Sequence, residues 1–189
     1  MPKLPRGKYT FLMTCIVGLE HKGKVYIGAD SSSVSGYDKT TTALKKVFIV
    51  DNRFIIGYTS SFRMGQLLQY KLSPEKQTKQ ADLEYLATVF IDELRAVLND
   101  NGYAKIESNE ESGGVFLVGY NGKLYTVHSD YQVNRDVCGY AVVGAGDTYA
   151  LASMYNNSHM SPKLRVKNAL KTASNFSTVV YKPFMVKKL

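Results

Sequence analysis

The chain has 189 residues, 44% hydrophobic and 21% charged, enough for one domain with a substantial core and a composition typical of soluble globular proteins. No stretch approaches the roughly 18 consecutive apolar residues of a membrane span, and the early run Phe11-Leu12-Met13 is too short for a signal-peptide core. The net charge of +8 is unevenly placed. Residues 162–189 hold Lys163, Arg165, Lys167, Lys171, Lys182, Lys187 and Lys188 with no acid, and the start adds Lys3, Arg6 and Lys8. Such clustering can be a nucleic-acid footprint. With no basic stripe interleaved with aromatics and no helix-turn-helix pattern, a solvated helix face with basic termini is preferred over a nucleic-acid partner.

Pro2 and Pro5 discourage a helix, and residues 1–13 read as an N-terminal extension. Residues 14–20 and 24–29 read as two strands joined at His21-Lys22-Gly23. Residues 30–43, rich in Ser, Thr and Gly, read as a loop or irregular strand. A second hairpin over 46–50 and 53–58 turns at Asp51-Asn52. Helical patterning begins near Ser60 or Ser61, either of which can cap it. A longer helix over about 81–98 puts Leu83, Leu86, Ala87, Phe90, Leu94, Val97 and Leu98 on one face, and Asn99-Asp100-Asn101-Gly102 ends it.

The second half returns to strands over 114–118 and 123–127 around Tyr120-Asn121-Gly122, then 140–143 running into Gly144-Ala145-Gly146. Helices over 147–155 and 162–174 precede a last strand over 179–186. Hairpins in both halves argue against a doubly wound parallel sheet. Two antiparallel sheets stacked between two helical layers, an α+β arrangement, would bury these faces.

Thr14, Asp30 and Lys46 fall at a strand start, the next strand's end and the third strand's start, so they can meet at one sheet edge. A threonine hydroxyl is a weak nucleophile and needs a base beside it. A cut between Met13 and Thr14 would supply one, because an α-amine with a reference pKa of about 7.7–8.0 would then adjoin the hydroxyl. A neighbouring ammonium lowers that pKa further, and an aspartate would keep the lysine charged and in place. Taken singly, a strand threonine, a turn acid and a solvated lysine are ordinary. Their joint order points to chemistry.

With Thr14-Cys15-Ile16-Val17-Gly18, Gly28-Ala29-Asp30-Ser31, Lys45-Lys46-Val47, Gly57-Tyr58 and Val143-Gly144-Ala145-Gly146 before a helix, the chain resembles the proteasome β-subunit superfamily of N-terminal-nucleophile (Ntn) hydrolases, especially the HslV-type peptidase. The Thr14–Asp30 and Thr14–Lys46 intervals of 16 and 32 residues match the family's nucleophile, aspartate and lysine. The resemblance runs from Thr14 to Leu189, making 14–189 the Ntn-hydrolase domain and 1–13 an extension or propeptide. It implies a four-layer αββα sandwich assembled into homo-oligomeric rings, a peptide or unfolded-protein substrate, an ATP-dependent unfoldase as partner, and no metal or organic cofactor. The segment Ser31–Ser35, Val34 included, resembles the part that pairs with extended substrate. Tyr58 and Thr59 would line the first specificity pocket, and the N–H of Ser60 or Ser61 would hold the oxyanion; the same stretch also reads simply as a serine-capped helix start.

Four positions depart from the family's pattern. Met13 stands where a glycine precedes the nucleophile, and Ser60 or Ser61 replaces the oxyanion glycine. Ala145 replaces the serine of Gly-Ser-Gly, while Asn175 and Thr178 stand at or near the later aspartate and serine. Two functions follow: a threonine peptidase that exposes Thr14 by self-cleavage, or a non-catalytic structural or assembly subunit that keeps its extension.

The remaining candidates carry less. Cys15 would point away from Thr14 and reads as a buried core residue. Cys138 reads as structural, and the two cysteines form neither a disulfide framework nor a metal cluster, so a reducing, cytoplasmic setting is expected. His21, His128 and His159 lack metal-ligand spacing. Gly144-Ala145-Gly146 lacks the full spacing of a phosphate loop.

Overall fold

The computed structural model describes residues 14–35 and 38–189, so the extension expected over residues 1–13 lies outside the described residues. Strands β1 (Cys15–His21) and β2 (Lys24–Asp30) form the first hairpin, with Lys22 and Gly23 both at positive φ (50° and 71°), as a type I′ turn requires. The segment expected to be a loop or irregular strand contains β3 (Ser32–Ser35) and β4 (Asp38–Thr41), paired as a separate two-stranded sheet. Next comes the hairpin of β5 (Val47–Val50) and β6 (Phe54–Tyr58), turned by Asp51 and Asn52, again both at positive φ.

Helix α1 (Phe62–Tyr70) is capped by Ser61, whose side chain accepts from the N–H groups of Arg63 and Met64. The longer helix is split into α2 (Asp82–Tyr85), a π-helical turn (Leu86–Phe90) and α3 (Ile91–Asp100). That turn corrects the expected apolar face. Wider than an α-turn, it rotates the helix start relative to its end. Tyr85 and Leu86 are therefore buried, whereas Leu83 is 48% exposed and Ala87 is exposed.

A small hairpin, β7 (Lys105–Glu107) and β8 (Glu110–Ser112), was not anticipated; three-residue strands are too short to register an alternation. Strands β9 (Phe116–Tyr120) and β10 (Lys123–Val127) turn at Asn121-Gly122, and β11 (Val133–Asn134) and β12 (Tyr140–Gly144) follow. Helices α4 (Asp147–Asn156) and α5 (Pro162–Phe176) lead to β13 (Phe184–Lys188). The last strand starts later than expected, just after Pro183, which has no N–H to donate to a ladder.

One sheet has the order β12-β1-β2-β13 and the other β11-β10-β9-β6-β5, antiparallel throughout. Alternation along β1 sends Ile16 between the sheets and Cys15, Val17 and Leu19 toward α4 and α5. The inter-sheet layer is aliphatic, with Ile27, Val47, Ile55, Leu117 and Leu124. Under α1–α3 the core is aromatic: Phe54 stacks on Tyr120 at 4.9 Å and lies 5.2 Å from Phe90. The result is the expected α+β four-layer αββα sandwich. No described helix is long and apolar enough to cross a membrane.

Candidate active site

Thr14 immediately precedes β1, Asp30 closes β2 and Lys46 immediately precedes β5. These bring the three to one end of the molecule, but not to one sheet edge: Lys46 comes from the second sheet, so the site bridges the ends of both. All three are buried, at 5%, 1% and 4% exposure. Thr14 Oγ1 donates to Asp30 Oδ1 at 2.6 Å and accepts from Lys46 Nζ. The same ammonium lies 3.1 and 3.2 Å from the two Asp30 oxygens and donates to the Ser32 carbonyl at 2.7 Å. Three partners for three N–H donors fit a charged lysine. Burial pulls its pKa below that of free lysine, and the Asp30 carboxylate restores part of the loss.

Ser32 belongs to this site and was not singled out in the sequence beyond its place in the loop. Its N–H donates to Asp30 Oδ2 at 2.9 Å, and its hydroxyl bonds the same oxygen and, at 2.7 Å, the Val179 carbonyl. Asp30 also accepts from the Cys15 N–H at 3.0 Å, so its carboxylate is held from both strands that flank it. The signal was present: an aspartate with a serine two residues on is the spacing of a side-chain-to-backbone Asx turn.

Ser60 and Ser61 differ in backbone hydrogen bonding. The Ser61 N–H is taken by the Thr59 carbonyl at 2.9 Å, and its side chain caps α1. The Ser60 N–H has no partner among the described residues, and Ser60 adopts φ +72°, a left-handed conformation that glycine accepts most readily. Its Oγ accepts from the Val115 N–H at 3.2 Å, tying the turn to the strand region beside it. Thr59 is buried, and its hydroxyl has no hydrogen-bond partner among the described residues. Tyr58 corrects an expectation: its ring lies in the outer core beside Phe48, so close to Gly65 that a Cβ there would sit 2.0 Å from it. It fills space that it was expected to border.

No family model matches the chain, and no curated protein matches it in sequence. Solved structures do match. BPH from Thiobacillus denitrificans superposes with a TM-score of 0.77 at 17% identity, covering 93% of this chain and 97% of that one. The same protein in complex with epoxomicin gives 0.75 at 18%, covering 93% and 98%. Eukaryotic HslV from Trypanosoma brucei gives 0.65 at 14%, again covering 93% and 98%. The chain has the proteasome-type β-subunit fold. At these identities the likeness is one of architecture.

Within the proteasome-type fold the departures can be located. The pair Cys15–Gly144 closes the β1–β12 ladder, and Ala145, which follows it, is exposed and offers a methyl in place of a hydroxyl. Gly144 itself is required: its φ is +104°, and a Cβ would lie 2.2 Å from the Thr14 carbonyl oxygen. Asn175 and Thr178 are both exposed and form no hydrogen bond to Thr14, Asp30 or Lys46. The connection from α5 to β13, which carries Thr178, reaches the site by its backbone instead, through the carbonyls of Val179 to Ser32 and of Tyr181 to the Ser31 N–H. Val34 lies in β3 opposite Lys39 of β4. Cys15 is fully buried with its thiol pKa pushed far up by burial, and Cys138 is exposed. Among the described residues no cluster could hold a metal ion.

Proposed function

We propose that the chain is a proteasome-like threonine peptidase whose nucleophile is Thr14. The observation that carries this reading is the Thr14 hydroxyl held between the Asp30 carboxylate and the Lys46 ammonium in a buried strand-end site. In the uncut chain, Thr14 Oγ attacks the Met13 carbonyl carbon while its proton passes to Asp30. The C–N bond then breaks with the proton delivered to the Thr14 nitrogen, freeing the amine, and water hydrolyses the resulting ester to release the extension as a carboxylic acid and restore the hydroxyl. In the cut chain that amine takes the Oγ proton, and Lys46 favours its neutral form. Oγ attacks the substrate carbonyl, the amine protonates the departing peptide nitrogen, and water releases the acyl group.

The Ser60 N–H, without a partner among the described residues, supports a role as oxyanion donor, a contribution of about 2.7–4 kcal/mol in other hydrolases. Thr59, with its orphan hydroxyl, and the β3 segment around Val34 are assigned to substrate. Homo-oligomeric rings, an ATP-dependent unfoldase and a cytoplasmic setting complete the reading.

One observation favours a second reading, a non-catalytic assembly subunit: Ala145, Asn175 and Thr178 bring no side-chain polar group to Thr14. Intact-mass measurement separates the two. Wild type reduced to the mass of residues 14–189, with hydrolysis of a fluorogenic peptide and binding of epoxomicin, is expected of the enzyme; Thr14→Ala should keep the full mass. Full-length wild type without hydrolysis under any condition would overturn it.

A further inference from the structure

The basic stretch at the end of the chain is unused by the chemistry at Thr14, and the fold gathers it into one feature. Two clefts, of about 770 and 400 Å³, lie along the seam between α5 and β13. Lys167, Lys171 and Lys182 line the first, and Lys163, Lys187 and Lys188 the second. None of these six forms an ion pair among the described residues. The nearest acid in sequence before them is Asp147. Arg165 sits on the same helix but is turned inward, bonded to the Met154 carbonyl and lying over the Tyr140 ring. The seam is therefore lined by lysine alone among the cations.

Two further properties narrow what fits. The floor is partly apolar, with Leu164 53% exposed and Phe184 and Val186 half-buried. Among the described residues β13 is also the last strand of its sheet, pairing with β2 on one side only, and its other edge carries main-chain donors and acceptors that none of them pairs. An extended chain could add there, with alternate side chains pointing into the trough. A nucleic acid would satisfy the lysines but neither the apolar floor nor the strand edge, and the residues lining the two clefts include no arginine, their aromatics being the half-buried Tyr26 and Phe184.

We infer that the trough between α5 and β13 is a docking site for an extended acidic peptide that adds as a strand to the β13 edge, its carboxylates facing the lysines and its apolar residues on Leu164 and Phe184. This does not depend on the reading of Thr14. The test uses the full chain with Thr14→Ala, which removes any cleavage of the probe, and a fluorescent decapeptide repeating Glu-Ser-Val-Ser, so that glutamate and valine share the face turned to the trough. The peptide is expected to bind at ~50 mM salt and to weaken steeply as salt rises. The double substitutions Lys167→Glu with Lys171→Glu, and Lys163→Glu with Lys188→Glu, should each weaken it at least about tenfold while leaving the melting temperature nearly unchanged. A peptide with Pro-Pro in place of each Val-Ser pair keeps the charge but loses N–H donors on both strand edges, and should bind about tenfold less well. Equal or tighter binding of the proline peptide, or of a single-stranded oligonucleotide of matching charge, would make the trough a general polyanion surface and overturn the proposal. So would binding that neither double substitution alters, or no binding at low salt.

Discussion

Lys46 and the six lysines of the α5–β13 trough are the same residue type under opposite treatment. Lys46 is 4% exposed and surrounded by Thr14, Asp30 and the Ser32 carbonyl. The trough lysines stay in contact with water and have no ionic partner among the described residues. Removing a charge from water costs several kcal/mol unless neighbours replace the lost solvation, so Lys46 is committed to the groups that surround it. Clustered exposed lysines bear only a screened mutual repulsion, and they remain free to meet a partner. A buried lysine thus points to local chemistry, and an exposed cluster to recognition.

The largest test of that contrast lies within the buried site. Asp30→Asn should abolish hydrolysis and also destabilise the fold by about 3–5 kcal/mol, because it strands Lys46 without a counter-charge. Lys46→Met should abolish hydrolysis at a smaller stability loss. Asp30 would still accept from the Thr14 hydroxyl, the Ser32 N–H and the Cys15 N–H. Urea unfolding of the two variants measures the asymmetry. Equal losses would mean that the carboxylate needs the lysine as much as the lysine needs the carboxylate.

The order Thr14, Asp30, Lys46 was legible because two hairpins with recognisable turns, Lys22-Gly23 and Asp51-Asn52, fix where each strand begins and ends. Their meeting across two sheets was not legible, since strand order in space is not carried by local pattern. Ser32 was hidden among like neighbours, one of three consecutive serines whose roles only the Asp30 geometry distinguishes. Ser60 and Ser61 read alike as caps, and only backbone hydrogen bonding separates the open N–H from the occupied one. Leu83 and Ala87 matched a helical stripe that a single π-turn displaced.

A pH series sharpens the contrast at intermediate size. The Lys46 pKa is lowered in the folded chain, so between that value and 10.5 the unfolded state holds more protons, and stability should rise with pH. Lys46→Met should lose this rise. Above pH 10 the sign reverses. Burial pushes the phenols of Tyr58 and Tyr125 up to about 12, so stability present below 10 is lost as pH climbs from 10 to about 12. Tyr58→Phe and Tyr125→Phe should each reduce that loss. A rise below pH 10 that survives in Lys46→Met would assign it to another group.

The smallest effect is expected in the trough, and its smallness is the informative part. Lys167→Glu with Lys171→Glu exchanges one like-charged i,i+4 pair for another but turns Lys163 and residue 167 into an opposite-charge i,i+4 pair, and each such pair on α5 is worth only a few tenths of a kcal/mol. Chemical denaturation should therefore give a stability within about 0.5 kcal/mol of wild type, slightly higher at low salt and equal at high salt. A substantial, salt-insensitive loss would mean that these lysines are structural like Lys46, bound to groups that hold the helix in place. The distinction between a charge the fold consumes and a charge it leaves available would then fail at the trough.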